Sequence, residues 1–543
     1  MIRRMNAKTL LLVTLTLFIC ISCSLQPPII AMEQNNPFQD IDNSYAKKEI
    51  IALYNNNIMT GTEPDRFAPK QSITRAEFLT TLVRLLRLTP VQAQVPSYSD
   101  VPSSSWYYGY IQAATEIGLA AGTSSGTFSP NRPLSRQEAA AWIIRAFKQH
   151  PAPTASLPPY RDQSEIAPWA LPYVQTVTKL QFMVGYEGSF QPKQQLSRQE
   201  AASLLYRILD YKSWSEEFDR TIPSKIQLGW QYGQTAEQYK QSLLNSNVNV
   251  MSPRWYFLKE DGQLDDYTDT SLLTWAKQHD KAIWAMLGNR FDMEATHDLL
   301  SSQSKTTSFT RSIIAFVQKY GLQGINVDFE NVHPDDRANF TRFIKLLSEQ
   351  MHEVGAVLSV DVSPELGTDW TAAFDYKAIG QYADYVVLMG YDEHWTGGPT
   401  AGPVASLPWV RSGLDTLRQD VPDHKIILGV PLYNRDWVIK ANNNSVTVPN
   451  STYITMEEQT ELMQSYRLSP SWNSTLSQYT MAYFNKGLHH QIWLEDSRSL
   501  SLKYQMALER DVAGFAYWHI GGETPDIWTS LSNAERYSSY SFY

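Results

Sequence analysis

The chain is almost free of cysteine, and this scarcity excludes one class of architecture. Its 543 residues include 2 cysteines, Cys20 and Cys23, both close to the start of the chain. No disulfide framework can therefore hold a folded domain together. Stability must come from buried apolar surface, and a hydrophobic fraction of 43% is typical of a folded protein.

The sequence also lacks an excess of positive charge. Its 46 Lys and Arg residues are outnumbered by 55 Asp and Glu residues, and the net charge of −9 argues against nucleic acid as the main partner. No block of like charges indicates a basic or acidic tail. The 16 Trp and 30 Tyr residues could serve sugar faces, although most are expected to pack in cores. The length exceeds one ordinary core, so we expect two or more domains.

Residues 1–31 have the pattern of a secretory signal peptide. Arg3, Arg4 and Lys8 precede an apolar run over residues 10–21. That run is too short to span a bilayer comfortably. The sequence therefore predicts an exported protein with no membrane span.

The sequence leaves two alternative sites for cleavage of the signal peptide. Cleavage after Ala31 would leave a mature protein without cysteine, whereas cleavage before Cys23 would make a lipoprotein. The residues at 20–22, Cys-Ile-Ser, form a poor lipobox. An exported protein without disulfides is common outside a Gram-positive cell, so the predicted location is outside such a bacterium.

Three copies of one pattern follow the predicted signal peptide. Each copy opens at an aspartate (Asp40, Asp100 and Asp162) and ends in an apolar segment after "ITRAE", "LSRQE" or "LSRQE". These pentapeptides predict capping boxes, in which the Thr or Ser caps a helix and the Glu reaches back. Each unit is then helix, loop, helix, and three units are needed for one stable all-α bundle. The predicted bounds are 37–96, 97–157 and 158–211, with a linker at 212–224.

The three units resemble S-layer homology domains over roughly residues 37–211. The resemblance implies non-covalent attachment to an anionic secondary cell-wall polymer. Arg75, Arg136 and Arg198, which recur in the pentapeptides, are then candidate polymer contacts, because guanidinium binds carboxylate bidentately. The alternative is that each arginine merely sits exposed in the first helical turn, where the helix dipole disfavours a cation.

The second half, residues 225–543, alternates strand-like and helix-like segments. Eight short β-rich segments, several separated by amphipathic helices, predict an α/β fold, a (β/α)8 TIM barrel. The long gap before the last segment predicts a small α+β insertion around 440–510, with a hairpin in "YTMAYFNKGLHHQIWLED". The eight segments are "KIQLGW", "VNVMSPRWYF", "KAIWAML", "GINVDFE", "AVLSVDVSP", "DYVVLMGYD", "KIILGVPLY" and "GFAYWHIG".

One of these strands carries polar residues on one face. In "GINVDFENV", apolar residues alternate with acidic and amide residues from position 325 to position 330. Asn326, Asp328 and Glu330 therefore share one side of the strand. A barrel interior is usually filled by branched apolar residues, and two acids there are costly unless they do chemistry. We therefore expect Glu330 nearest the barrel mouth, with Asp328 beneath it.

The same stretch resembles the strand-four motif of family 18 glycoside hydrolases, Asp-Gly-x-Asp-x-Asp-x-Glu. In "QGINVDFE", Asp328 and Glu330 match the last acid pair, while Gln323 and Asn326 replace the first two acids. The resemblance covers essentially residues 225–535. It is strongest to the spore-former branch with cortex-lytic and cell-wall enzymes, in which "VPLY" on strand seven also occurs.

The resemblance implies a retaining mechanism without an enzyme nucleophile. The 2-acetamido group of the sugar attacks its own anomeric carbon and gives an oxazolinium ion. Glu330 would protonate the leaving oxygen and then activate water. Asp328 would orient the acetamide N–H and offset its developing positive charge. Tyr391, in "LMGYDEHW", would hydrogen-bond to the acetamide oxygen.

Further residues are implied as substrate contacts. Asp392 would hold a sugar hydroxyl or tune Glu330, and Trp518, in "GFAYWHIG", would form the apolar floor under the reacting sugar. The alternatives are an ordinary strand end for Tyr391 and Asp392, core packing for Trp518, and a buried salt-bridged pair for Asp328 and Glu330. Tyr433 is a weaker candidate for a subsite contact.

Asn326 is a substrate-site candidate that departs from the family pattern. It cannot ionise, so it should ease ionisation of Asp328, and its amide can donate to that carboxylate. We expect altered pH dependence rather than inactivity. Asp361 and Glu365, in "SVDVSPE", are possible polar lining only.

No cofactor and no metal is expected. His279, His333, His394 and His519 show no ligand spacing.

The predicted function is a surface-anchored hydrolase that cleaves β-1,4 bonds after N-acetylglucosamine. The substrate could be peptidoglycan or chitin, with cell-wall glycan favoured because an anchor raises the local concentration. Two other hypotheses are a carbohydrate-binding protein on an inactive barrel, which the retained Glu330 disfavours, and a structural surface-layer protein, which leaves the polar strand unexplained.

Overall fold

The computed structural model describes residues 36–123, 126–151, 160–442 and 445–542. The signal peptide predicted for residues 1–31 lies outside them. Among the described helices, none combines the length and apolar character of a membrane span. The described residues fall into two compact units: one runs to Gln71 and adds Ser197–Arg207, and the other contains the rest.

Each repeat contributes two helices, as the sequence predicts. The second helix of each pair begins after a capping box: the backbone amides of Thr74, Ser135 and Ser197 donate to a glutamate three residues later at 2.8, 3.0 and 2.7 Å. The six helices are α1 (Lys47–Asn55), α2 (Arg75–Leu85), α3 (Tyr108–Glu116), α4 (Arg136–Ala146), α5 (Leu171–Lys179) and α6 (Arg198–Leu209).

The recurring aspartates fix the turn that precedes the second helix. Asp40 accepts hydrogen bonds from the backbone amides of Phe67 and Ala68 at 2.9 and 2.7 Å. Asp100 and Asp162 do the same for the equivalent turns, each with two bonds. The repeated aspartate is therefore needed to satisfy two turn amides in every unit.

The three recurring arginines each contact another repeat. Every Nε donates to the carbonyl oxygen of a turn phenylalanine, and every guanidinium lies over the same ring. Because Arg75 and Arg198 are only 3% exposed, the exposed first-turn alternative is wrong for both. Their contact with a wall polymer stays a prediction. The pairs are Arg75–Phe128 at 3.0 Å, Arg136–Phe190 at 2.9 Å and Arg198–Phe67 at 2.8 Å.

The predicted linker at 212–224 begins with a packed helix, α7 (Lys212–Phe218). Trp214 is 1% exposed. Its ring stacks on Phe147 at 4.8 Å between centroids and contacts Phe542, near the C-terminus, at 5.5 Å. This segment therefore packs against both the repeats and the end of the chain.

The second half forms the predicted barrel. A ten-stranded sheet runs in the order β2-β1-β15-β9-β8-β7-β6-β5-β3-β4, and pairing of β2 with β5 closes it. The second barrel position is shared by β2 and β3, because Pro253 between them has no N–H for the ladder. The sheet strands are β1 (Ile226–Trp230), β2 (Val250–Ser252), β3 (Arg254–Leu258), β4 (Leu264–Asp266), β5 (Ala282–Gly288), β6 (Gly324–Asp328), β7 (Val357–Val362), β8 (Tyr385–Met389), β9 (Ile426–Pro431) and β15 (Gly514–Trp518).

Helices cover the outside of the barrel. The larger core lies between strands and helices, and a smaller core of Leu228, Trp284, Met286 and Ile427 fills the interior. The helices are α8 (Ala236–Leu244), α9 (Thr270–Gln278), α10 (Met293–Ser301), α11 (Gln303–Tyr320), α12 (Arg337–Glu353), α13 (Asp369–Ala372), α14 (Tyr376–Tyr382), α15 (Leu407–Leu417), α17 (Ser497–Leu508) and α18 (Asp526–Ser539).

The predicted insertion is a five-stranded antiparallel sheet with one helix. Its hairpin turns at Lys486 and Gly487, both with positive φ (46° and 77°), as a tight turn requires. The elements are β10 (Tyr433–Asn442), β11 (Ser445–Thr455), α16 (Met456–Ser465), β12 (Ser471–Asn473), β13 (Gln478–Asn485) and β14 (Leu488–Leu494).

The second repeat and the end of the first repeat pack directly on the outer helices of the barrel. Ser497 on α17 donates to the buried carboxylate of Glu116 on α3 at 2.8 Å. Asn533 on α18 exchanges two hydrogen bonds with the backbone of Thr89, at 2.9 and 2.7 Å. Repeat and barrel therefore share a bonded interface within one compact unit.

Candidate active site

Strand β6 has the two faces that its sequence predicts. Ile325 and Val327 are fully buried in the outer core, and Phe329 stacks on Phe343 of α12 with ring centroids 5.5 Å apart. Asn326 points into the barrel, where the Trp230 indole donates to its side-chain oxygen at 2.7 Å. The alternation therefore directs the polar residues to the barrel interior.

Asn326 connects four barrel strands. Its oxygen accepts from Trp230 and also from Ser252 at 3.2 Å, and its amide donates to Ser359 at 3.1 Å and to Asp361 at 2.6 Å. Both amide hydrogens are thereby directed away from Asp328, so the expected donation to that residue goes to Asp361 instead. An aspartate at 326 would place two carboxylates in contact, whereas the amide supplies a donor.

Glu330 is held through its backbone by a residue that the sequence did not single out. Asn289, the first residue after β5, donates to the Glu330 carbonyl oxygen at 2.7 Å and accepts from the Glu330 amide at 3.1 Å. Asn289 is 1% exposed and also donates to Thr296 at 3.0 Å. A polar residue directly after an apolar barrel strand is the signal that could have identified it.

Three carboxyl groups share this end of the barrel, and burial raises the pKa of each. The pKa of Asp328 rises to about 6. The pKa of Glu330 rises further above its usual range, because the charges of Asp328 and Asp392 add to burial, and that of Asp361 rises beside Asp328. The arrangement favours a protonated Glu330 above an ionised Asp328 at neutral pH.

Arg254 on β3 opposes this trend. Its positive charge lowers the pKa of both Asp328 and Glu330, although burial outweighs it. The motifs described above do not include Arg254. A charged side chain at the start of the otherwise apolar "RWYFL" of β3 is the pattern that could have identified it as a site residue.

Glu330 lines an open cavity of 430 Å³ at the barrel mouth. Tyr391 and Asp392 line the same cavity, so three of the predicted site residues come together around one space. We call it the aromatic cavity, because its remaining wall carries three indoles: Trp370, Trp395 and Trp409.

Tyr391 and Asp392 follow β8 and have different environments. Burial and the nearby charge of Asp361 raise the pKa of Tyr391, so its phenol remains a hydrogen-bond donor. Asp392 is exposed, has a positive φ of 61°, and accepts from Tyr433 and Arg435, each at 2.7 Å. Tyr433, proposed as a subsite contact, is buried and reaches the mouth through Asp392.

Trp518 lies at the end of β15, between the two sides of the mouth. Its ring is 6.4 Å from Tyr391 and nearly parallel to it, and lies 5.8 Å from Trp230 and 5.4 Å from Tyr232. The indole is half-buried and leads from the aromatic cavity toward Tyr232. A flat apolar surface in this position suits a sugar face.

His333, whose sequence spacing does not indicate a metal ligand, lies in a cluster of side chains that carry atoms able to bind a metal ion. Groups on His297, His333 and Asp336 come within 4.8 Å of one another. His297 and Asp336 are 2.7 Å apart, and this hydrogen bond raises the pKa of His297. An ion pair explains the contact without a ligand.

Comparisons with known proteins agree with this geometry. Residues 223–523 match the model of the glycosyl hydrolases family 18, and residues 37–79, 97–140 and 159–202 match the S-layer homology domain. A cortical fragment-lytic enzyme of Bacillus cereus is 30% identical over 311 residues, covering 54% of this chain and 70% of that protein. An uncharacterized glycosylase of Bacillus subtilis, YvbX, is 28% identical over 315 residues, covering 56% and 90%.

Solved structures show the same barrel. The Bacillus cereus spore cortex-lytic enzyme SleL has a TM-score of 0.53 at 26% identity, covering 58% of this chain and 75% of that one. A chitinase from Chromobacterium violaceum has a TM-score of 0.53 at 23% identity, covering 57% and 99%. The second likeness concerns the fold alone.

Proposed function

Because the chain belongs to glycosyl hydrolase family 18, we propose that it cleaves β-1,4 bonds after N-acetylglucosamine in peptidoglycan or chitin-type glycans. The observation that carries this proposal is the position of Glu330, at the lining of an open cavity with its pKa raised. A carboxyl group that keeps its proton near neutral pH can protonate a glycosidic oxygen.

The proposed reaction is substrate-assisted and retains configuration. The acetamide oxygen attacks the anomeric carbon as Glu330 protonates the leaving oxygen, and the C–O bond breaks to give an oxazolinium ion. Glu330, now ionised, removes a proton from water as the water oxygen bonds to the anomeric carbon. The bond between that carbon and the acetamide oxygen breaks in the same step, which opens the oxazolinium ring and restores the acetamide. Asp328 offsets the positive charge of the acetamide, for which its pKa of about 6 leaves it ionised at neutral pH.

Tyr391 and Trp518 complete the proposed subsite for the reacting sugar. The Tyr391 phenol keeps its proton, because burial raises its pKa, and it donates to the acetamide oxygen. Trp518 supplies the apolar floor. Asp392, already bonded to Tyr433 and Arg435, raises the pKa of Glu330 by its charge and so helps to keep the acid protonated.

The S-layer homology repeats indicate association with the cell surface. We propose that they bind an anionic secondary polymer of a Gram-positive wall, after export directed by residues 1–31. The arginines Arg75, Arg136 and Arg198 are proposed to contribute to that site in addition to joining the repeats. An enzyme held in this way stays beside its glycan.

The cleavage test uses the full chain on peptidoglycan glycan strands and on an N-acetylglucosamine hexamer. We expect new reducing ends that carry N-acetylglucosamine by mass spectrometry, with the β-anomer formed first by NMR. New reducing ends on the other sugar of the strand, or an α-anomer formed first, would overturn the proposed bond or the retaining mechanism.

The anchoring test compares two preparations of purified Gram-positive cell walls. We expect the full chain to sediment with native walls and to remain in the supernatant with walls whose secondary polymer has been removed by acid. Equal sedimentation with both preparations would show that the polymer is not the anchor.

A further inference from the structure

A second cavity is lined by residues of β3 and of the segments that follow β1 and β5. It has a volume of 530 Å³ and includes Arg254, Phe257, Tyr267, Asp269 and Arg290 in its lining. We call it the basic cavity. None of the roles derived above uses it as a binding site.

Arg254 is one of two arginines that line the basic cavity. Its guanidinium lies between two aromatic rings, 4.9 Å from the centroid of Tyr232 and 5.2 Å from that of Phe257. Its Nε is buried and has no hydrogen-bond partner among the described residues. Because the Nε is buried, an acceptor that enters the cavity would meet the terminal nitrogens of the guanidinium, which the two rings hold in place.

The other charged groups of the cavity are already engaged. Arg290 bonds to Asp265 at 2.8 Å and to the Tyr267 hydroxyl at 3.1 Å. Asp269 accepts from the Ser271 amide at 2.8 Å and so caps α9. The charge of Arg254 is therefore not neutralised by the acids that line the cavity.

Tyr232 connects the proposed sugar floor to Arg254. The centroid of its ring lies 5.4 Å from that of Trp518 and 4.9 Å from the Arg254 guanidinium. A glycan that lies on Trp518 and extends over Tyr232 would bring its next sugar to Arg254.

We propose that Arg254 binds a carboxylate carried by a sugar next to the one on Trp518. This inference rests on the proposed function and narrows its substrate class. A muramic-type sugar carries a carboxylate on a lactyl ether, whereas a chitin-type chain is neutral. The guanidinium fork matches a carboxylate bidentately, so the site favours an acidic peptidoglycan strand over chitin.

The experiment compares three substrates with the full chain. They are peptide-free glycan strands with free lactyl carboxylates, the same strands with those carboxylates converted to methyl esters, and an N-acetylglucosamine hexamer. We expect kcat/KM for the free-acid strands to exceed that for the esters about tenfold, the range of a charge-assisted hydrogen bond. In Arg254→Gln this ratio should fall to about one.

The ratio of kcat/KM on free-acid strands to kcat/KM on ester strands separates carboxylate binding from the electrostatic effect of Arg254 on the catalytic acids. That electrostatic effect acts equally on acid and ester strands. Arg254→Lys should retain part of the preference, and Arg311→Gln, exposed on α11, should retain all of it. An acid-to-ester ratio near one for the native protein overturns this inference and leaves the proposed function intact. Absence of cleavage of all three substrates overturns the proposed function, and this inference with it. If Arg254→Gln does not fold, the comparison of acid and ester strands with the native protein decides.

Discussion

Replacing Glu330 by Gln should lower kcat on a chromogenic N-acetylglucosamine oligomer about 10³-fold, the loss expected when a general acid and base is removed. Glutamine matches the glutamate in size but cannot transfer a proton at this step. The two backbone bonds from Asn289 to Glu330 do not depend on the side chain, so the loop should keep its position. KM should change little, because the lost interaction belongs to the transition state.

The matched control is Glu349→Gln. Glu349 is exposed on α12, and we expect this variant to keep nearly full activity. A native protein whose signal is no higher than that of Glu330→Gln, with both at the background level, would instead favour the carbohydrate-binding hypothesis. A native protein with no turnover that forms lattices would favour the structural surface-layer hypothesis.

Replacing Asp328 by Asn should lower kcat about 10²-fold, because the acetamide would lose the negative charge that offsets its developing positive charge. Asn keeps the shape and can accept a hydrogen bond, but it has no charge. Substrate binding should be weakened less than turnover, since the charge on the acetamide develops only in the transition state.

The pH profile gives a second measure of the same variant. The pKa of Asp328 is raised to about 6, so in the native protein this residue is protonated, and the charge lost, as the pH falls below that value. Activity should therefore decline on the acidic side near pH 6, and this limb should disappear in Asp328→Asn. The basic limb, where Glu330 loses its proton, should remain.

The control for this substitution is Asp335→Asn, at an exposed aspartate after β6. It should leave both the rate and the pH profile unchanged. An acidic limb that persists in Asp328→Asn would assign that ionisation to another group and contradict the role given to Asp328.

Local patterns in the sequence predicted much of this fold. The alternation in "GINVDFE" placed Asn326, Asp328 and Glu330 on the inner face, because side chains alternate along any strand. The recurring "TRAE"-type segments predicted helix starts, because a capping box is formed within four residues. Period and capping need no knowledge of the rest of the chain.

The contacts that tune the site could not be predicted in the same way. Asn289 reaches Glu330 because β5 lies beside β6 in the closed sheet, and Asn326 meets Asp361 because β7 lies on the other side of β6. These pairs are separated by 41 and 35 residues. Their proximity depends on strand order and register, which a single sequence does not state.

Recurrence alone also left the repeat arginines ambiguous. Their threefold spacing indicated a shared role, but not whether the partner was a ligand or another repeat. The structure shows guanidinium groups bonded to a neighbouring turn, as for Arg75 with Phe128. A motif records that a residue is needed, whereas its contacts show one reason for it.

The bonded interface that joins the second repeat and the end of the first to the outer barrel helices would limit where a wall-bound enzyme can cut. Hydrogen bonds join Ser497 on α17 to Glu116 and Asn533 on α18 to Thr89. The barrel therefore cannot rotate freely about these two segments, as it could if only a flexible linker connected them. If the repeats bind the wall polymer as proposed, only glycan strands that lie directly in front of the barrel mouth would be within reach of Glu330. Each bound molecule would then cleave only the glycan around its own binding site. The rate of wall hydrolysis would be limited by dissociation of the protein from one site and its binding to another.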